Sequence, residues 1–353
     1  MRSVDIIVPC YNEEEVLETF YQVTEGIVSS MAGYRFTYLF VDDGSRDSTL
    51  NRLMALAEAH ENVHYLSFSR NFGKEAAMFA GLSHSAGELV VIMDADLQHP
   101  PALIPEMMRG IEEGYDCAAA RRTTRAGEQR IRSAFSRLFY HISNRMSDVK
   151  MPQDAVDFRI MTRQMVNSIL ELSEVERFSK GIFAWVGYET KWYPYENVER
   201  TLGTTKWSFK GLLKYAVDGI TSFSISPLRL VSGMGFLISI VAFIYIIATL
   251  VQTLIFGIDV PGYVTTLCAV LFLGGIIELS VGILGEYIAH IYMEAKDRPI
   301  YIVKTHNLPA PAGQGEAKRE KTDREQNGPG ARQDTDRPAA DLRQYDNNRK
   351  GSL

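Results

Sequence analysis

Short apolar runs alternate with helix-like stretches along the first 120 residues. Val4–Val8, Thr37–Val41, Val63–Phe68, Leu89–Met93 and Cys117–Ala120 read as strands. The stretches near 13–30, 47–60, 74–85 and 101–113 between them read as helices. This alternation predicts an α/β fold, a mostly parallel sheet with helices on both faces. Leu89–Met93 is apolar throughout, as a strand covered on both faces requires. From 130 to 200 the pattern is mixed. It predicts a basic helix over Arg130–Met146, a strand over Val156–Met161, two more helices and a strand around Thr190–Tyr195.

The pattern then changes character. Leu230–Ile258 carries no charge, and Val260–Gly285 carries one, Glu278. Each run is long enough to span a bilayer as a helix. A buried helical hairpin of a soluble protein is the alternative, but two such runs in tandem are rare in soluble cores. The link Phe256–Tyr263 has no Lys or Arg, whereas Lys206, Lys210, Lys214 and Arg229 precede the hairpin and Lys296, Arg298 and Lys304 follow it. The positive-inside rule therefore places the link outside and both termini in the cytoplasm, in a multi-pass protein of the inner or plasma membrane. Over 207–224, Phe209, Leu212, Leu213, Ala216, Ile220 and Phe223 follow helical spacing. Lys206, Lys210, Lys214 and Asp218 recur every four residues on another face, which predicts an amphipathic helix in the lipid interface. Beyond Pro309 the chain is polar and poor in apolar residues, so disorder is expected. The expected division is a catalytic domain over 1–205, an interfacial helix region over 206–226 and a transmembrane hairpin over 227–290. A cytoplasmic segment over 291–309 and a disordered tail over 310–353 complete it.

Composition narrows this picture. The chain has 353 residues, 46% of them hydrophobic, and its formal net charge of −6 argues against a nucleic-acid partner. Cys10, Cys117 and Cys268 lie far apart without metal-ligand spacing, which suggests reduced thiols in a cytosolic setting. The N-terminus enters a strand by Val4, so no signal peptide is expected.

The candidate chemistry gathers after the strands. Asp94-Ala95-Asp96-Leu97-Gln98 follows the fourth strand. Two carboxylates one residue apart at a strand end make a hard-oxygen site for Mg²⁺ or Mn²⁺, with positions left open for a diphosphate. Pro9–Glu13 follows the first strand, Asp42-Asp43-Gly44-Ser45 the second and Arg70–Lys74 the third. In open α/β sheets ligands bind outside the carboxyl ends of strands. No Gly-x-Gly-x-x-Gly follows the first strand and no Gly-Lys-Ser/Thr loop occurs, which argues against NAD and against a P-loop NTPase.

In this order, Val-Pro-x-Tyr-Asn-Glu, Val-Asp-Asp-Gly-Ser-x-Asp-x-Thr, Asn-Phe-Gly-Lys and Asp-Ala-Asp-Leu-Gln resemble the inverting glycosyltransferases of GT-A (Rossmann-like) fold. The most similar branch is the polyprenyl-phosphate glycosyltransferases, the group containing dolichol-phosphate mannose synthase and bactoprenol glucosyltransferase. Asp157-Phe-Arg159, Arg200-x-x-Gly-Thr-Thr-Lys206, Ser222–Arg229 and Gly285-Glu-Tyr continue the resemblance over roughly 3–304. It implies a metal-dependent transfer of one hexose from a nucleotide diphosphate sugar, UDP-glucose first, to polyprenyl phosphate at the cytoplasmic membrane face. UDP-N-acetylglucosamine and GDP-mannose stay open as donors.

By match, Pro9, Tyr11 and Glu13 would contact the nucleoside and Asp43 the base or ribose, with Lys74 and Asp94 also on the nucleotide sugar. Asp94, Asp96 and Gln98 would hold the metal, and Asp96 and Asp157 carry the catalytic assignment. Thr205 stands where the family often has Ser. Lys180 stands where it often has Arg, and Lys lacks the bidentate grip of a guanidinium.

On the acceptor side Arg121, Arg122, Arg125, Arg130 and Arg132 crowd together after the fifth strand. Arg200 and Lys206 precede the amphipathic helix. Arg122, Arg125, Arg200 and Lys206 are the candidate lipid-phosphate ligands, since paired donors suit phosphate, whereas Arg130 and Arg132 suit a solvated helix face equally well. Asp157 is either a base or an orienting group, against a plain surface pair with Arg159. Glu278, a carboxylate inside a span, suggests a helix–helix hydrogen bond or a neutral protonated form. A transport path through it would need several copies of the chain, so a homo-oligomer stays open. A processive polysaccharide synthase would need more spans and a Gln-x-x-Arg-Trp motif, which is missing. A membrane-anchored nucleotide-sugar scaffold without catalysis would not need the carboxylates that are present.

Overall fold

The computed structural model describes residues 1–123, 152, 154–196, 224–256 and 262–309. Their strands are β1 (Arg2–Cys10), β2 (Tyr34–Asp42), β3 (Val63–Phe68), β4 (Leu89–Ile92), β5 (Cys117–Arg122), β6 (Ala155–Thr162), β7 (Thr190–Tyr195) and β8 (Val303–His306). Their helices are α1 (Leu17–Val28), α2 (Thr49–Ala59), α3 (Lys74–His84), α4 (Ile104–Glu112), α5 (Arg163–Leu170), α6 (Ser179–Trp185), α7 (Ser226–Phe256) and α8 (Tyr263–Ala295). The expected basic helix over 130–146 and amphipathic helix over 207–224 lie outside the described residues.

All eight strands form one sheet in the order β7-β5-β6-β4-β1-β2-β3-β8. β1 pairs in parallel with β2 and β4, and β2 with β3. β6 runs antiparallel between β4 and β5, and β5 pairs in parallel with β7. Six strands therefore share one direction, and the expected mostly parallel α/β sheet is what the chain forms. The central strands are buried on both faces, as their apolar runs demand. Val4, Ile6 and Val8 of β1 face a core shared with Phe20, Leu53, Met107 and Ile111 of α1, α2 and α4. Ile7, on the opposite face, meets α3 at Gly81, where a Cβ would collide with the isoleucine side chain.

This topology decides where chemistry can collect. The carboxyl ends of β1–β5 and β7 lie along one edge. Because β6 is reversed, its amino end lies there too, with Ala155 opposite Arg121. A residue early in β6 thus stands beside residues just past β4.

α7 and α8 have 31 and 33 residues, about 46–50 Å at helical rise, which exceeds a hydrocarbon core of roughly 30 Å. Both are long and apolar enough to cross a membrane, and their large side chains are open, Phe236 at 71% and Leu254 at 78% exposure. Glu278 is exposed on α8 and makes no hydrogen bond among the described residues, so the expected helix–helix bond is not formed there.

α8 continues to Ala295, past the expected hairpin bound at 290, and part of the expected cytoplasmic 291–309 segment joins the sheet. β8 pairs antiparallel with β3, Leu66 opposite His306 and Phe68 opposite Val303. Tyr301 stacks on Phe68 at 5.0 Å between ring centroids. Asn307 accepts from Tyr65 N–H at 2.7 Å and donates to Val63 O at 3.3 Å. Ending the chain after Pro309 should leave thermal stability and membrane association unchanged. Ending it after Ile300 should lower the melting midpoint by about 5 °C, from the loss of roughly 2 kcal/mol of edge contacts. Equal midpoints would show that β8 contributes nothing to the domain.

Candidate active site

The ends of β1 and β2 are laced together by short polar side chains. Pro9 and Cys10 close β1, and the loop turns at Asn12, whose φ of 53° is left-handed. An L-residue holds that conformation at about 1–2 kcal/mol unless neighbours enforce it. Here they do: Asn12 N–H donates to Ser45 Oγ at 2.9 Å, Asn12 Oδ1 accepts from Arg46 N–H at 2.9 Å, and Glu13 N–H donates to Thr49 Oγ1 at 2.8 Å. Pro9, Tyr11 and Glu13 are all half-buried at this rim.

The two adjacent aspartates have different tasks. Asp42 is buried at the end of β2, accepting from Ser45 N–H at 3.0 Å and from the Ser67 hydroxyl at 2.6 Å. Asp43 reaches the loop after β3, accepting from Phe72 N–H at 2.6 Å and Gly73 N–H at 2.9 Å. Burial pushes its carboxyl up to about 6, although those backbone donors oppose the shift. Gly44 must lack a side chain, because a Cβ there would collide with the Arg70 backbone.

At the end of β4 the chain turns again through a left-handed residue, Leu97 at φ 55°. Asp96 Oδ1 accepts from Gln98 N–H at 3.1 Å. Lys74, the first residue of α3, lies 2.6 Å from Asp94 Oδ1 and 2.6 Å from Asp157 Oδ2. Enclosure of the ammonium opposes its charge, but Asp157 and Asp94 outweigh that and hold its pKa well above the lysine range. Burial would raise the Asp157 carboxyl, yet Lys74, then Lys180 and Arg159, hold it well below the usual range. Asp157 and Arg159 do not form the surface pair considered above. Arg159 is buried, donates to Val156 O at 2.9 Å and lies 3.6 Å over the Phe183 ring.

His99 closes the back of this cluster. It is 3% exposed, stacks on Phe158 at 6.0 Å and meets Tyr195 edge-on at 5.8 Å. Its Nδ1 is 3.9 Å from Asp94 Oδ2, and neither ring nitrogen has a hydrogen-bond partner among the described residues. Arg122, at the end of β5, donates to the Tyr195 hydroxyl at 3.2 Å. Arg125, Arg200 and Lys206 lie outside the described residues.

Among the described residues, no three His, Cys, Asp or Glu side chains converge as a ready metal cage. A Mg²⁺-like ion does not need one, since it binds through one or two carboxylates, phosphate oxygens and water. Asp94 and Asp96, with the buried His99 imidazole behind them, fit such an ion.

Residues 5–170 match the model for glycosyl transferase family 2, and residues 226–291 match the GtrB C-terminal hairpin. The putative glycosyltransferase CsbB of Bacillus subtilis (strain 168) is 47% identical over 306 residues, which span 87% of this chain and 92% of that one. The chain belongs to glycosyl transferase family 2. This glycosyltransferase is also similar to the SfII prophage-derived bactoprenol glucosyl transferase of Shigella flexneri, at 39% identity over 86% of this chain and 97% of that one. The prophage bactoprenol glucosyl transferase homolog of Escherichia coli (strain K12) is 40% identical over 86% and 98% of the two chains. The first match runs from β1 to the end of α5 and so contains every cluster at the β1–β4 ends.

Three contributors escape the motif reading. His99 and Glu75, the latter next to Lys74 and accepting from Ser179 N–H at 2.9 Å, each adjoin a motif residue, which was their only signal. Tyr195 ends a strand with nothing in its sequence context to mark it.

Asp43 gives a pH test. Its folded carboxyl holds a proton more tightly than the unfolded value of 3.8 allows, so its stabilising contribution is complete below pH 3.8 and is lost as pH rises through about 6. Asp43→Asn should flatten the fall in stability between pH 4 and pH 7, read from melting midpoints. An unchanged slope would mean that Asp43 titrates normally.

Proposed function

We propose that this glycosyltransferase moves one hexose, glucose from UDP-glucose, to undecaprenyl or another polyprenyl phosphate at the cytoplasmic membrane face, with inversion. The observation that carries this reading is the Lys74–Asp94–Asp157 cluster at the carboxyl edge of a sheet whose chain continues into two open apolar helices. The similarity to the Shigella and E. coli bactoprenol glucosyl transferases supports a bactoprenol acceptor and a glucosyl group.

Charge supports a metal. Asp94 and Asp157 share the Lys74 ammonium, Asp96 adds a further carboxylate beside Asp94, and a diphosphate would add more negative charge. Asp94 and Asp96, with the Gln98 amide, would hold Mg²⁺ or Mn²⁺, which when bound supplies positive charge to the departing diphosphate. Pro9, Tyr11, Glu13 and Asp43 line the rim for the nucleoside, with Lys74 at the diphosphate end. An acceptor phosphate monoester, with its second pKa near 6, is largely ionised at neutral pH and needs no proton removed. That agrees with Asp157, whose depressed pKa makes it a weak base, so Asp157 orients a sugar hydroxyl or the acceptor. The acceptor oxygen bonds to the anomeric carbon as the bond to the nucleoside diphosphate breaks. Arg122, with Arg125, Arg200 and Lys206, would hold the lipid phosphate. The basic flanks of the hairpin favour both termini and the catalytic domain on the cytoplasmic side.

Asp96→Asn should lower transfer by about 100-fold or more with the fold intact, and EDTA should stop the wild-type enzyme. Near-normal turnover in either case would remove the metal from the mechanism. Arg122→Ala should raise KM for the lipid phosphate, by the equivalent of about 1.5–3 kcal/mol, and leave that for the nucleotide sugar. Movement of the nucleotide-sugar KM instead would put Arg122 on the donor side. Purified protein that binds UDP yet transfers no labelled sugar to undecaprenyl phosphate would favour the scaffold reading.

A further inference from the structure

Glu294 stands in the last turn of α8, beyond both stretches that match family models. Its Oε1 accepts from Val175 N–H at 2.9 Å and Glu176 N–H at 3.3 Å. One turn earlier His290 pairs with the Glu176 carboxylate. The end of α8 is thereby tied to the 171–178 segment between α5 and α6.

That segment grips α3. Arg177 donates to Leu172 O at 2.8 Å and Ile169 O at 3.1 Å, and its guanidinium lies 4.4 Å from the Phe79 ring centroid. Ser179 gives its N–H, at 2.9 Å, and its hydroxyl to Glu75 Oε2. Beyond α8, Tyr301 meets Phe79 edge-on at 6.4 Å. Phe79 is therefore held by Arg177 and by Tyr301, and each belongs to chain that α8 anchors. The first residue of the helix so held is Lys74, the cation shared by Asp94 and Asp157.

We propose that the end of α8 is a clamp on α3, and that Glu294 is a positioning residue that sets, through residues 174–179, where Lys74 stands in the active site. The clamp deepens the proposed function, on which it rests for its activity readout alone. A carboxylate that captures two successive backbone N–H groups fixes a segment in a way one surface ion pair does not. Asp43 of the donor rim holds Gly73 N–H, next to Lys74, and Lys74 is assigned to the diphosphate end. Loosening the clamp should therefore disturb turnover and UDP binding together.

The test compares Glu294→Ala with Glu294→Gln in the full chain in lipid nanodiscs. The probes are amide hydrogen exchange, UDP binding by calorimetry, and transfer to undecaprenyl phosphate. The alanine variant should speed exchange over 174–179 and over the first turn of α3 about fivefold, cut kcat about tenfold and raise the UDP Kd about threefold. Glutamine keeps the accepting oxygen, so it should restore both exchange and kcat. Faster exchange confined to 175–176, an unchanged UDP Kd, or a folded glutamine variant that behaves like alanine would each overturn the clamp. A wild-type protein that transfers no sugar would sink the proposed function instead, and the exchange over α3 would then decide the clamp by itself.

Discussion

One ammonium and two carboxylates hold the centre of this enzyme. Asp94 and Asp157 come from β4 and the reversed β6, and side by side they would repel or take up protons. Lys74 removes that repulsion, and it does so from the first residue of a third element, α3. Whatever displaces α3 also changes the charge balance at the end of β4. The antiparallel insertion of β6 is thus a chemical requirement as much as a topological one, because only a reversed strand brings Asp157 to the edge where β4 ends.

The rest of the site is arranged around that triplet by locking parts that do no chemistry. Asp42, Ser45, Ser67 and Thr49 spend their polar atoms on the backbone and on each other, and they impose the left-handed turn at Asn12. A second such turn at Leu97 follows the carboxylate pair. Strain of this kind is held only where neighbours over-determine the backbone. Both turns flank the groups assigned to the donor, so those groups stand on backbone that their neighbours over-determine.

How much of this was legible in the sequence depended on distance along the chain. β1–β4 and α1–α4 were readable because each buries its own local apolar pattern. The clusters after the strands were readable because parallel strands bring their carboxyl ends together without further information. Asp42 and Asp43 could not be told apart by type; only the partners Ser67 and Phe72, some 25 and 29 positions away, separate their tasks. The disfavoured Asp157–Arg159 surface pair does not form because Arg159 found an aromatic face and backbone carbonyls inside the protein. β8 was invisible: four residues, Val-Lys-Thr-His, form no apolar run, and their pairing partners precede them by more than two hundred positions.

That last pairing has a consequence for how the chain is made. Asn307 bonds to Tyr65 across 242 positions, and the whole apolar hairpin is synthesised between them. Until β8 emerges, β3 is an open sheet edge, the kind of surface on which chains associate wrongly. A ribosome therefore completes the catalytic sheet only after α7 and α8 have been built. The order of synthesis makes the finished enzyme and the finished hairpin a single event, and a chain that stops short of the hairpin carries an unsealed catalytic domain.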